Sequence, residues 1–172
     1  MSQQCPTVVI LGASRGIGLG LAREYVRRNW RVIATARSPE GKVRLQGLTS
    51  NKQLDIRELD ITDAIQLSTL TSGLSDTQVD VLFANAGISR GPNESVNTMS
   101  REDFVQLLVT NALSPMAAIK AFRPLMKEDG VIVVMSSNLA SIANITGDGW
   151  EVYRASKAAL NSLLRSFAQA QR

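Results

Sequence analysis

The chain has 172 residues, 44% hydrophobic and 20% charged, which is enough to bury the core of one ordinary globular domain and too apolar for a disordered segment. Its formal net charge of +4 comes from basic residues scattered along the chain, with only short pairs such as Arg27-Arg28, so nucleic-acid binding has little beyond bulk charge behind it. One cysteine, Cys5, excludes an internal disulfide, and the lack of histidine excludes Ser-His-Asp catalysis and the usual zinc sites, so no metal is expected.

The first element pair is the most informative. A short apolar run over residues 7–11 stops at Gly12-Ala13-Ser14-Arg15-Gly16-Ile17-Gly18 and restarts as a helical pattern, which is a strand-turn-helix unit. Gly12 suits the tight turn, Gly16 a close approach of backbone to phosphate, and Gly18 close packing of helix on strand. Free N–H groups at the positive helix end then face an anion such as a dinucleotide pyrophosphate. Residues 19–29 follow as a crossover helix, with Leu21, Ala22, Tyr25 and Val26 at helical spacing. A second β-rich run, 31–36, is followed at once by Arg37. In dinucleotide folds an acidic residue near this point holds a ribose 2′-hydroxyl, whereas an arginine suits a 2′-phosphate, so Arg37 with Arg15 points to NADP.

Residues 54–61 alternate apolar and charged side chains as a third strand, with Asp60 placed to hold an adenine edge. Thr62 or Asp63 caps a helix to about residue 74, and residues 79–84 form a buried fourth strand stopping at Asn85-Ala86-Gly87. Ser100-Arg101-Glu102-Asp103 resembles a capping box and opens a long helix to residue 126, which Pro115 should bend just beyond Asn111. Residues 130–135 are the fifth strand, ending in Ser136-Ser137, and residues 152–170 the last helix. Strand-helix alternation throughout predicts a single α/β domain over residues 1–172: a Rossmann-type, doubly wound parallel sheet of about five strands in three layers.

No basic start with a long apolar core opens the chain, and the uncharged stretch 130–147 is interrupted by Ser, Asn and Thr, so the expectation is a soluble cytoplasmic protein, away from membranes. The sequons at Asn93 and Asn144 are then idle.

At Tyr153-Arg154-Ala155-Ser156-Lys157 the chain resembles the short-chain dehydrogenase/reductase family, through the glycine turn, Asn85-Ala86-Gly87, Asn111, the serines after strand five and Tyr153/Lys157, all in order. The run from Ser141 through Gly147 to Asn161 is most similar to the sniffer and C-factor-like branch, which includes fungal ketoreductases. The resemblance implies cofactor contacts at Gly12, Ser14, Arg15, Gly16, Ile17, Gly18, Arg37, Asp60, Ile61, Asn85, Ala86, Gly87, Lys120, Tyr153 and Lys157. It implies carbonyl reduction with Tyr153 as general acid, Lys157 beside it and on the nicotinamide ribose, a serine on the substrate oxygen, and Asn111 holding a water in the proton path. Four residues apart on a helix, Tyr153 and Lys157 share a face, and an ammonium beside a phenol favours phenolate.

The serine position of the family falls on Ala140, so the choice is Ser137, directly after the strand, with Ser141 as runner-up. Family members run on through a further strand, a lobe over the substrate and another strand, whereas these residues stop at Arg172. Two readings follow: an NADP(H)-dependent ketoreductase acting on a small carbonyl or alcohol, or a shortened cofactor- or partner-binding protein without turnover. The apolar positions Leu160, Leu163, Leu164 and Phe167 of the last helix lead to the expectation of a homo-oligomer.

Overall fold

All five residues of β1 (Thr7–Leu11) are buried, because β1 lies between two parallel neighbours, with helices available to cover both faces. In the computed structural model, which describes residues 5–48 and 53–170, β1 is followed by α1 (Gly16–Arg27), β2 (Arg31–Ala36), α2 (Pro39–Gln46), β3 (Leu54–Glu58), α3 (Ala64–Ser72) and β4 (Val79–Ala84). Then come α4 (Arg101–Leu108), a π-helical segment (Val109–Leu113), α5 (Ser114–Phe122), a 3-10 turn (Arg123–Leu125), β5 (Met126–Val134), a second 3-10 turn (Asn138–Ala140) and α6 (Glu151–Gln169). The strand order is β3-β2-β1-β4-β5, and every pairing is parallel, with Val8 opposite both Val32 and Val81. The chain therefore winds one way from β1 to β3 and the other way from β4, and this reversal opens a crevice at the carboxyl ends of β1 and β4. The predicted doubly wound parallel sheet is what forms.

The described residues group into two compact units. One holds the sheet, α1 to α3 and Ala118–Met135; the other holds Gly87–Ala117 and the described residues from Ser136 onward. In the first, side chains alternate across the sheet. Val9, Leu11, Ile33 and Leu82 pack with Leu67, Leu70 and Phe122 on one face, and Val8, Ile10, Val32 and Ala34 pack with Ala22 and Leu45 on the other.

Several boundaries differ from the sequence expectation, each for a local reason. α2 was not anticipated, because Pro39–Gln46 has too few apolar residues to show a helical stripe. Ser38 starts it by accepting from Gly41 N–H at 3.2 Å, with Pro39 at the first helical position, where its missing N–H costs nothing. The third strand ends at Glu58 rather than running to residue 61, leaving Asp60 and Ile61 in the following loop. Asp63, not Thr62, caps α3, accepting from Ile65 N–H at 2.8 Å and Gln66 N–H at 3.0 Å. β5 begins earlier than residue 130: Val79 pairs with Met126 and Val81 with Val131, an irregularity that throws residues 127–130 out of the ladder. Ser100 accepts from Asp103 N–H at 3.0 Å, but the Asp103 carboxylate pairs with Arg90 instead of closing the capping box.

The long helix is not a bent α-helix to residue 126. It passes through the π segment over Asn111 and ends its α-helical course at Phe122. Pro115 has no N–H to donate one α-turn back to the Asn111 carbonyl, so the ladder is already broken where the turn widens. By length and composition Arg101–Leu125 would pass as a membrane span, at a mean hydropathy of 1.2. Leu107, Ala118, Ile119 and Phe122 are nevertheless fully buried, as expected of a core helix.

At Gly12 and Gly18 the glycine turn is packed too tightly for side chains. Gly12 has φ +85°, and a Cβ on Gly18 would strike the Gly12 carbonyl oxygen and lie 2.6 Å from Asn85 Nδ2. Gly18→Ala is therefore expected to lower stability by about 1–3 kcal/mol, the usual cost of overpacking against fixed backbone. A urea midpoint equal to that of the native chain would show that the loop yields.

Candidate functional site

The glycine loop in the first unit is held from several sides. Gly12 N–H donates to Thr35 Oγ1 at 2.9 Å and Ala13 N–H to the Thr35 carbonyl at 2.8 Å, while Asn85 Nδ2 donates to the Gly12 carbonyl at 2.7 Å. Arg44 Nε donates to the Ser14 carbonyl at 3.0 Å. Thr35 and Arg44 were not singled out in the sequence. Thr35 left a trace there, as the only hydroxyl in an apolar strand, whereas Arg44 lies on the helix that went unseen. α1 starts at Gly16 with no side-chain cap, so its first-turn N–H groups present the positive helix end. Gly16 has φ +54°, and a Cβ there would meet nothing within 4 Å. This is open backbone that a phosphate can approach.

Arg15 and Ile17 are exposed beside it. Arg37, 68% exposed, makes a long ion pair of 3.5 Å with Asp60, a surface contact worth little energetically. Burial pushes the Asp60 carboxyl up, but hydrogen bonds from the Thr62 hydroxyl and N–H and the nearby Arg37 guanidinium outweigh it, leaving Asp60 below its ordinary value. Ile61 is buried in the core and Ala86 packs against it, so any ligand contact from Ile61 falls to its backbone. Lys120 lies on the exposed side of α5, whose neighbours Ala118, Ile119 and Phe122 are buried.

The second unit brings together Gly87, Asn111, Tyr153 and Lys157. Asn111 is completely buried. Its Oδ1 accepts from Ile88 N–H at 2.9 Å, and its Nδ2 donates to the Ile88 carbonyl at 2.8 Å and to Ser156 Oγ at 3.0 Å. Ser156 Oγ in turn donates to the Tyr153 carbonyl at 2.7 Å. Ser156, which the sequence reading passed over, thus ties the wide turn to α6. A Cβ on Gly87 would lie 3.2 Å from Asn111 Oδ1 and 3.5 Å from Lys157 Nζ, so the amide and the ammonium flank the bare backbone there. Lys157 is 3% exposed, and that burial holds its ammonium below the ordinary lysine range. Its Nζ sits 6.0 Å from the centre of the Tyr153 ring, and the Trp150 ring meets the same ring edge-on at 5.7 Å.

Ser137, the first residue after the Val131–Met135 stretch and Ser136, caps the 3-10 turn, accepting from Leu139 N–H at 3.1 Å and donating to Asn138 Oδ1 at 3.3 Å. Ser136 is committed to Asn161 Oδ1 at 2.7 Å. Ala140 is buried and Ser141 half-buried. A cavity of about 480 Å³ opens among Leu139, Ile142, Ile145, Arg154, Ala155 and Ala158 on another face of α6, and neither Tyr153 nor Lys157 lines it. Among the described residues no group of three His, Cys, Asp or Glu side chains is placed to hold a metal.

Asn111→Ala would leave the Ile88 N–H and carbonyl without their partner inside the second unit. The expected cost is about 3 kcal/mol, since a buried polar group that loses its bond costs roughly 1–3 kcal/mol. A loss below about 1 kcal/mol in chemical denaturation would mean that water replaces the amide.

Residues 6–172 match the sequence profile described as short chain dehydrogenase. The chain belongs to this family. An uncharacterized oxidoreductase of Schizosaccharomyces pombe is 33% identical over 165 residues, which are 92% of this chain and 65% of that protein, so the chain spans just under two thirds of that relative's length. Among solved structures, a carbonyl reductase from Pseudomonas aeruginosa PAO1 in complex with NADP is similar at a TM-score of 0.89 and 38% identity, over 96% of this chain and 76% of that one. The sniffer protein of Caenorhabditis elegans is similar at 0.84 and 29% identity, over 97% and 80% of the two chains, in keeping with the sniffer-like branch read from the motifs. The short-chain dehydrogenase match takes in both the uncapped glycine turn and the tyrosine and lysine of α6.

Proposed function

We propose that this chain is an NADP(H)-dependent carbonyl reductase of the ketoreductase type, working in the cytoplasm. The observation that carries the reading is the buried Lys157 ammonium, one helical turn from Tyr153 and against Gly87: a desolvated cation is costly to keep, and here it lies near the one phenol of the second unit. The glycine loop fits the cofactor, with open backbone at Gly16, an uncapped positive helix end, and the exposed cations Arg15 and Arg37 beside it. The Pseudomonas carbonyl reductase, crystallised with NADP, supports the same cofactor.

When bound, NADPH supplies the hydride that reduces the carbonyl carbon. Tyr153 gives its phenolic proton to the carbonyl oxygen, so that ketone, hydride and proton balance as an alcohol. Lys157 stabilises the phenolate left behind. The Ser137 hydroxyl donates to the substrate oxygen as charge develops on it. The Asn111 side chain is occupied with Ile88 and Ser156, so a water in the proton path is held by its backbone carbonyl, which Pro115 cannot engage. Asp60, Ile61, Asn85, Ala86 and Lys120 complete the cofactor contacts.

The test is NADPH oxidation against a panel of ketones, aldehydes and quinones. Turnover of any of them supports the reading. Tight NADPH binding without turnover assigns the chain to cofactor binding alone.

A homodimer is also proposed. Ile142 (76% exposed), Leu113 (59%), Ile145 (50%) and Leu163 (43%) leave apolar surface in the second unit, and such surface contributes about 25 cal/mol per Å² when covered by a second copy. Sedimentation at micromolar concentration is expected to show a dimer or larger species; a monomer throughout would reject this.

A further inference from the structure

α6 starts without a cap of its own. Its N-cap residue is Trp150, which has no side-chain acceptor and sits in the left-handed region at φ 58°. Trp150 is held there because its N–H donates to the Pro92 carbonyl at 3.1 Å, and because Gly149 lies so close to that carbonyl that a Cβ would strike it. Its ring serves another purpose, meeting the Tyr153 ring edge-on. The N–H that a normal cap would satisfy, that of Tyr153 at the third helical position, is instead bonded by a carboxylate from the loop before α4. Glu94 Oε1 accepts from Tyr153 N–H, while Oε2 accepts from Arg90 N–H at 3.1 Å. Glu94 is 7% exposed. Glu151 fastens the joint in the reverse direction, accepting from Val96 N–H at 2.9 Å and the Ser95 hydroxyl at 3.2 Å.

We propose that Glu94 is a positioning residue for Tyr153: a detached N-cap whose carboxylate fixes the first turn of α6, and with it the direction of the phenol. A serine or aspartate at position 150 would cap the helix at lower desolvation cost, but would give up the indole that bounds the Tyr153 ring. Trp150 orients the ring and Glu94 orients the backbone that carries it. A carboxylate at a helix N-terminus also complements the helix dipole, so a neutral replacement keeps only part of the effect.

This inference rests on Tyr153 being the proton donor, and its test separates the two ideas. The chain has two tyrosines, Tyr25 in the first unit and Tyr153, so tyrosine labelled with 13C at Cζ gives two resonances that need no turnover to be read. In Glu94→Ala the Tyr153 resonance is expected to move or broaden while that of Tyr25, which reports an intact fold, stays in place. Glu94→Gln, which keeps one acceptor, is expected to give a smaller change. With a carbonyl substrate, kcat should fall about tenfold or more in Glu94→Ala at a KM and an NADPH Kd within twofold of the native chain, with partial recovery in Glu94→Gln. An unchanged Tyr153 resonance overturns the proposal, as does an equal loss in both variants that tracks only a lower urea midpoint. Full turnover in Tyr153→Phe would instead sink the catalytic reading while the resonance still decided the capping role.

Discussion

Replacing Tyr153 with phenylalanine is expected to lower kcat for carbonyl reduction by about 10²–10⁴-fold, the range general acid catalysis supplies. The substitution removes one oxygen and leaves the ring against Trp150, the Lys157 ammonium and the bond from Tyr153 N–H to Glu94 in place. NADPH affinity and the urea midpoint should therefore stay close to those of the native chain, and single-turnover rates would carry the whole loss. If Tyr153→Phe reduces ketones within threefold of the native rate, the proton comes from elsewhere and the proposed mechanism fails.

Reversing the charge at Arg37 is expected to reverse cofactor preference. A charge-assisted contact to a 2′-phosphate contributes roughly 1.5–3 kcal/mol, so the native chain should favour NADPH over NADH by about 10–150-fold on Arg37 alone, with Arg15 adding to it. Arg37 is mostly exposed, and its pairing with Asp60 is long at 3.5 Å, so little is lost in turning the guanidinium toward an anion. Arg37→Asp places a second carboxylate near Asp60, which repels a phosphate and accepts a ribose hydroxyl. Calorimetric titration of both cofactors against both chains measures the ratio. Equal native affinities, or a ratio unmoved by the substitution, would remove Arg37 from this role.

The features legible in the sequence were those governed by nearest neighbours along the chain. β1 and the glycine turn could be read because a parallel central strand is apolar at every position and because glycine spacing follows from backbone clearance. Tyr153 and Lys157 could be placed on one helix face for the same local reason. α2 could not, since eight residues begun by Ser38 and Pro39 have no apolar period to betray them. The roles of Thr35, Ser156 and Glu94 were hidden because each acts on a partner 23 to 59 residues away, as in the Glu94 to Tyr153 bond, and hydroxyls or carboxylates in such places look like ordinary surface residues. Pro115 announced a break near Asn111, but a proline cannot tell a kink from a widened turn; only the hydrogen-bond ladder over Val109–Leu113 does.

A widened turn of this kind amounts to an α-helix that has accepted one extra residue. Taking one residue out of Val109–Leu113 would let the coil close with ordinary spacing, restoring rather than losing helical regularity, with the flanking turns kept in phase and only the widened turn itself rearranged. The amide at Asn111 would then no longer face Ile88 and Ser156. A single codon's deletion is thus expected to cost the Asn111 bonds to Ile88 and Ser156 while leaving a regular helix, a loss of one hydrogen-bonded joint with no loss of helix content.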